Sequence, residues 1–255
     1  MATARTASGR VVEAPRVEVP GRLVYQALSG SHAYGLAGPG SDVDWRGVFQ
    51  VPTDDLFGFS PIPQAAKPEG DDHAYWELSH FARQCLAGNP NIVEMLWLDR
   101  SLVAATSPVM EEFRAMRERF LTSTMVARYL GWAQDELRVM APAFVGRRGG
   151  KVPATVADWD VVRLAGKRGS HLVRMLVSLR GALRDGRLAV TMEPGPDRDL
   201  VLAIKGGRVG PEQVVDTVRA LGRECEALAA RRGWPRHDVA SVEALLRRAR
   251  RSELS

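Results

Sequence analysis

Along the first hundred residues, short apolar runs bounded by turn residues read as the strands of a small sheet, joined by short helical patterns. Leu23-Val-Tyr-Gln-Ala-Leu28 is apolar almost throughout, and its Val24 and Tyr25 favour a buried strand over a short helix. The run feeds a turn at Gly30 and Ser31. Residues 32–40 then form a short helix or turn, and Val43 to Val51 a second strand stopped by Pro52. Pro61 to Gly70 is loop. His73-Ala-Tyr-Trp-Glu-Leu78 is a third strand running into a helix from Ser79 to Leu86. Asn89 is placed to cap a further helix, with Pro90 at its first helical position.

Beyond residue 106 the period lengthens to that of helices. Ser107 to Met140 reads as helical throughout, Ala143 to Val156 as a loop, and Asp158 to Asp185 as a long helix. Leu188-Ala-Val-Thr-Met192 and Leu200-Val-Leu-Ala-Ile204 read as a small hairpin, and helical patterns fill the rest. Residues 1–20 mix small, charged and proline residues without periodicity, and read as a flexible tail. The expected fold class is α+β: a small mixed β-sheet core over 21–105, followed by a mainly helical C-terminal domain over 106–255.

Composition narrows the class without naming a function. Among 255 residues, 45% are hydrophobic and 25% charged, the balance of a globular chain able to bury a core. No apolar run approaches a membrane span and the N-terminus has no hydrophobic signal core, so no membrane partner and a cytoplasmic location are expected. Cys85 and Cys225 lack metal-ligand spacing and sit in amphipathic helical patterns, as two reduced, inert thiols would. The net charge of +5 allows a nucleic-acid partner without demanding one. Much of the positive charge is arginine near the C-terminus, at Arg231-Arg232 and from Arg247 to Arg251, which fits either a solvated helix face or a nucleic-acid contact.

The candidate chemistry lies in Gly30-Ser-His-Ala-Tyr-Gly35 and Ser41-Asp-Val-Asp-Trp-Arg-Gly-Val48. Asp42 and Asp44 stand one residue apart, and on a strand such residues face the same way. Two aligned carboxylates suit a hard divalent cation, Mg²⁺ or Mn²⁺. The Gly30–Ser31 turn offers backbone N–H groups and a hydroxyl to a phosphate. A phosphate cradle and a metal clamp within fifteen residues point to chemistry on a nucleoside triphosphate. A lone Asp-x-Asp is more often a turn or cap, and only the ordered combination weighs against that reading.

A second constellation, Lys167, His171 and Arg174, is spaced by four and three residues on one predicted helix, so the three share a face that could meet a triphosphate or simply be solvated. Leu172, Met175, Leu176 and Leu179 give the same helix a separate apolar stripe. His32 could contact a phosphate or pack in the loop, and Arg46 could neutralise phosphate or steady a carboxylate.

The segment from Gly30 to Val48 resembles the signature of the DNA polymerase β-like nucleotidyltransferase superfamily, and most closely a bacterial and phage subgroup of predicted nucleotidyltransferases, some of which accompany RNA-repair genes. The Asn89-Pro90-Asn91 helix and the Lys167, His171, Arg174 helix are similar to elements of that subgroup. The resemblance implies a Mg²⁺-dependent transfer of NMP from ATP or another NTP to an acceptor hydroxyl, with an RNA end as the favoured acceptor. It implies that Gly30 and Ser31 hold phosphates, that Asp42 and Asp44 bind metal, and that Lys167, His171 and Arg174 bind nucleotide. A third carboxylate is implied too. Asp72 is preferred over Asp71 and over Glu77, which falls on the other side of a regular strand and could equally partner an arginine. Transfer to a protein or small molecule, or a non-catalytic nucleotide- or RNA-binding role on the same scaffold, are the alternatives.

Overall fold

Strand β3 (Arg22–Ser29) is buried at every residue from Val24 to Ser29, and since successive side chains point to opposite faces, both faces of the sheet are covered there, which is why its sequence is a near-continuous apolar run rather than an alternation. The computed structural model describes residues 2–67, 73–140, 164–231, 233–236 and 238–254 of the 255. Within these the chain divides into two compact units, Met1–Thr122 with Arg236–Ser255, and Ser123–Pro235.

In the first unit, β3 pairs antiparallel with β4 (Asp44–Gln50) on one edge and with β7 (Val103–Thr106) on the other. Strand β6 (Ala74–Glu77) runs parallel to β4, and the two-residue β5 (Ala65–Ala66) closes the order β5-β6-β4-β3-β7. The sheet is therefore mixed. Helix α1 (Gly30–Tyr34) follows β3 directly, while α2 (Leu78–Leu86), α3 (Pro90–Trp97) and α4 (Pro108–Ala115) cover the sheet. Phe81 of α2 meets Phe113 of α4 edge-on at 5.9 Å, and Phe113 stacks on Phe120 at 6.4 Å. Asn89 caps α3 as its sequence predicts, accepting from the Asn91 N–H at 3.2 Å, with Pro90 in the first turn. Together with the helical second unit this is the expected α+β fold.

Residues 1–20 are not a loose tail. Strands β1 (Thr3–Arg5) and β2 (Val11–Glu13) pair antiparallel, with Ala4 and Thr6 buried. The turn between them is built by short side chains: the Thr6 hydroxyl accepts from the Arg10 N–H at 3.0 Å, and Gly9 takes a positive φ of 86°. Small residues make this hairpin, so no large apolar alternation announces it.

The second unit holds α5 (Ser123–Met140), a π-helical turn (Leu164–Arg168), and helices α6 (Gly169–Asp185), α7 (Pro196–Lys205) and α8 (Pro211–Ala230). The hairpin expected at 188–204 is absent, because Leu200–Ile204 lies inside α7. Pro196 in the first turn and Asp197 and Asp199 at the N-terminal end favour a helix there, and Val201 and Ile204, three apart, are its buried face. The loop expected at 143–156 lies outside the described residues. No helix among the described residues is long and apolar enough to cross a membrane.

Helix α9 (Val239–Leu254) belongs to the first unit, so the helical region after residue 105 does not form one domain. Val242 and Leu245 are buried, and Arg250 reaches a charge. Its guanidinium donates to Glu77, to the Val51 carbonyl at 2.7 Å and to Ser79 Oγ at 3.2 Å. Glu77 is 2% exposed and also caps α2, accepting from the Ser79 N–H at 2.6 Å and the His80 N–H at 3.3 Å. Arg247 pairs with Glu243 and Arg248 with Glu112, so these cations of the C-terminal cluster already serve the fold. One turn on, Glu253 accepts from the Thr53 hydroxyl at 2.6 Å, the Gln50 amide at 3.0 Å and the Thr53 N–H at 3.1 Å.

Arg250→Ala should destabilise the protein by about 3–5 kcal/mol in urea unfolding, since it strands a buried carboxylate. The double change Glu77→Gln with Arg250→Met should cost less than Arg250→Ala alone. Truncation after Ala240 removes the same anchor and should lower the unfolding midpoint rather than merely weaken a surface contact.

Glu253 adds a pH dependence. Burial pushes its carboxyl up, but the hydrogen bonds from Thr53 and Gln50 outweigh burial and hold it below the ordinary glutamate value. A depressed folded-state pKa means stability that is fully present above the unfolded value, about 4.3, and lost as pH falls through the folded one. Glu253→Gln should therefore be less stable than the parent at pH 7, and the gap should close between about pH 5 and pH 3 in thermal melts.

Candidate active site

The register of two strands builds the site. Ser29, the last residue of β3, lies opposite Asp44, the first of β4. Gly30 then turns with φ +61°, and a Cβ placed on it would stand 1.7 Å from Asp44 Oδ2. The carboxylate thus fills the space beside the glycine, which no side chain could share. Helix α1 runs one turn and ends at Gly35 in the left-handed region. Residues 36–43 return the chain to β4.

That return loop is held from inside. The buried His32 donates through Nε2 to the Ser41 carbonyl at 3.2 Å, while Ser41 Oγ accepts from the Gly38 N–H at 2.9 Å and the Ser41 N–H donates to the Gly38 carbonyl at 3.1 Å. His32 is therefore a loop-packing residue tying the Gly30–Ser31 turn to the segment bearing Asp42. Asp42 itself is exposed and precedes the strand, so strand alternation does not align it with the half-buried Asp44. Its placement is set by the loop instead.

Neighbouring elements brace the carboxylate strand. His73 is buried, and its Nδ1 accepts from the Trp45 N–H at 3.2 Å, one residue after Asp44. Arg46 Nη1 donates to the Asn91 carbonyl in the first turn of α3 at 3.3 Å, which fixes its direction. Neither contact has a sequence signal beyond a polar residue on a strand. Of the candidates for a third carboxylate, Glu77 is committed to Arg250 and to capping α2. Asp71 and Asp72 lie outside the described residues. Among the described residues no group of three or more His, Cys, Asp or Glu side chains is arranged to hold a metal.

The basic helix belongs to the second unit, and its three residues have three environments. Lys167 is exposed within the π-helical turn, His171 is half-buried with its ring edge-on to Trp132 at 5.4 Å, and Arg174 is fully buried. Lys167 lies in the π-helical turn and the other two in the α-helix that follows it. Burial, and after it the positive charge of Lys167, hold the Lys205 ammonium below the ordinary lysine range. Lys205 therefore stands beside Lys167, a neighbour that linear spacing could not reveal.

A Gly-Ser turn leaving a buried strand, with an aspartate of the antiparallel next strand lodged against its glycine, is the arrangement that the site presents. The family model of the RNA repair pathway DNA polymerase beta family matches residues 6–193, and the chain belongs to that family. It is also 27% identical over 127 residues to a protein of Enterobacteria phage T4 described as an uncharacterized 38.9 kDa protein in the nrdC-mobD intergenic region. That match covers 45% of this chain and 38% of the phage protein.

Gly30→Ala should lower stability by about 1–3 kcal/mol, through overpacking against Asp44 and a strained positive φ. In an Asp44→Gly background the same substitution should cost less, because the colliding oxygen is gone. Equal costs in both backgrounds, measured by urea unfolding as a double-mutant cycle, would show that the two residues do not meet.

Proposed function

We propose that the first unit carries a Mg²⁺-dependent transfer of NMP from an NTP to a hydroxyl at an RNA end, with release of pyrophosphate. The observation that carries this reading is the Asp44 carboxylate packed against Gly30, which brings an anionic oxygen and the phosphate-cradling turn together. Membership of an RNA-repair family supports the RNA acceptor.

The residues present fit a hard cation: Asp44 is held at a strand end by its neighbours, and Asp42 brings a second carboxylate two residues ahead. Bound there, Mg²⁺ would neutralise triphosphate charge and favour the ionised acceptor hydroxyl. The chain's own part is to position. Backbone N–H groups at Gly30 and Ser31, with the Ser31 hydroxyl, would hold the β/γ-phosphates. His32 would keep the carboxylate loop at a fixed distance from that turn. Asp72 is the preferred third carboxylate on sequence position: it stands two residues before Ala74, and Ala74 pairs with Arg46, which stands two residues after Asp44. In the second unit, Lys167 is the member of the basic helix suited to an anionic group, whereas the fully buried Arg174 is suited to organising its own helix.

Each α-labelled NTP should be offered with Mg²⁺ or Mn²⁺ to the full chain and a single-stranded RNA with a free 3′-hydroxyl. Labelled RNA and free pyrophosphate are expected. Asp42→Asn with Asp44→Asn should reduce transfer by at least about 10³-fold, the several kcal/mol of a lost charge clamp, with circular dichroism showing the fold retained. Full activity in the double variant would sink the metal assignment. Label on protein rather than RNA would move the acceptor to a protein hydroxyl.

A further inference from the structure

We infer that the β1–β2 hairpin is a nucleic-acid contact, in which Arg5 and Arg10 hold phosphates of a single-stranded RNA acceptor beside the Gly30–Ser31 turn. The inference rests on the proposed acceptor and adds to it the surface that would bind it.

Four observations carry it. The hairpin is docked on the site: the Ala7 N–H, in its turn, donates to the His32 carbonyl at 3.0 Å, one residue beyond Ser31. Both arginines flank that turn, Arg5 at the end of β1 and Arg10 immediately before β2, and Arg10 is three residues from Ala7, a reach of at most about 10 Å. Both are exposed, and neither is ion-paired among the described residues; Arg5 makes only a 3.4 Å hydrogen bond to the Gly9 carbonyl. The hairpin's one carboxylate, Glu13, pairs with Thr3 at the end away from the turn, so the end nearest the site is cationic.

The outer face also suits a strand of nucleotides. Arg5 lies opposite Val11, which is 51% exposed, so an apolar side chain stands beside the Arg5 guanidinium stem on the hairpin's outer face. A guanidinium presents a fork of donors matched to phosphate oxygens, and an exposed aliphatic surface can take a ribose or base face. The C-terminal arginines differ in kind. Arg247, Arg248 and Arg250 are paired with Glu243, Glu112 and Glu77.

The test measures binding and transfer separately. Fluorescence anisotropy with a labelled twelve-nucleotide single-stranded RNA, across a salt series and without NTP, should show affinity falling steeply with salt for the unaltered chain. In the Arg5→Ala, Arg10→Ala variant the affinity should drop about tenfold or more at 100 mM salt. The log–log salt slope should become shallower by about 1.4, for two phosphate contacts on a single strand. Arg5→Lys with Arg10→Lys should keep most of the slope. In the transfer reaction, the alanine variant should raise KM for RNA and leave KM for NTP unchanged. No RNA binding by the unaltered chain, or an unchanged affinity and slope in the alanine variant, overturns the assignment. A slope lost equally in the lysine variant also overturns it, since charge would then not be the cause. Absence of label transfer with the binding results as expected would count against the proposed activity and leave the hairpin contact standing.

Discussion

The pairing of Ser29 with Asp44 across β3 and β4 is the constraint on which the candidate site depends. A slip of one residue would turn every side chain of β4 to the opposite face and carry the Asp44 carboxylate away from Gly30. The register is held by burial on both strands, since Tyr25, Ala27, Leu28, Val48 and Phe49 have no exposed surface. Beyond the ladder, His73 accepts the Trp45 N–H and Arg46 is tied to α3. The core thus positions the carboxylate before any ligand arrives, which is the preorganisation that phosphoryl chemistry needs.

Part of the positive charge in this protein is structural. A net charge of +5 invites a search for a nucleic-acid patch, and the arginine-rich C-terminus is the first place to look. There the cations are spent on α9: one pair along the helix, one to α4 and one buried against Glu77. Arg114 is likewise internal, donating to the Tyr25 hydroxyl at 3.1 Å and the Leu98 carbonyl at 2.8 Å. Burial, countered only in part by this guanidinium, pushes the Tyr25 hydroxyl up to about 12, so it remains a neutral hydrogen-bonding group. Counting arginines overstates the surface available to a polyanion. The N-terminal hairpin differs in that its exposed arginines, without a carboxylate partner among the described residues, flank a turn hydrogen-bonded to the His32 carbonyl beside the Gly30–Ser31 turn.

What could be read from the sequence was what local chemistry decides. The β3 run, the Gly30–Ser31 turn, and the Asn89 cap with Pro90 each depend on residues within one or two turns of themselves, and each lies where expected. Leu200–Ile204 failed because an apolar run of five fits a buried strand or one face of a helix equally, and the deciding residues, Gly195, Pro196 and Asp197, lie outside it. The differing environments of the exposed Lys167 and the fully buried Arg174 were not legible, because burial depends on what packs against the helix and not on spacing along it. The β1–β2 hairpin was missed because its inward residues are Ala4 and Thr6, too small to mark a period. Glu77 could not be assigned from its strand position alone, since its partner Arg250 lies 173 residues away.

That separation has a consequence for how the chain is made. The second unit is inserted between two segments of the first, so synthesis delivers the sheet, then a helical unit, and only afterwards the helix that neutralises Glu77. While the chain emerges, the carboxylate capping α2 has no guanidinium and the apolar seat of Val242 and Leu245 is uncovered. Local contacts in the helical unit need no such wait. The inserted unit can therefore fold on the ribosome ahead of the sheet that precedes it in sequence, reversing the usual N-to-C order of domain maturation. The sheet unit is thus completed only when the last helix of the chain has been made.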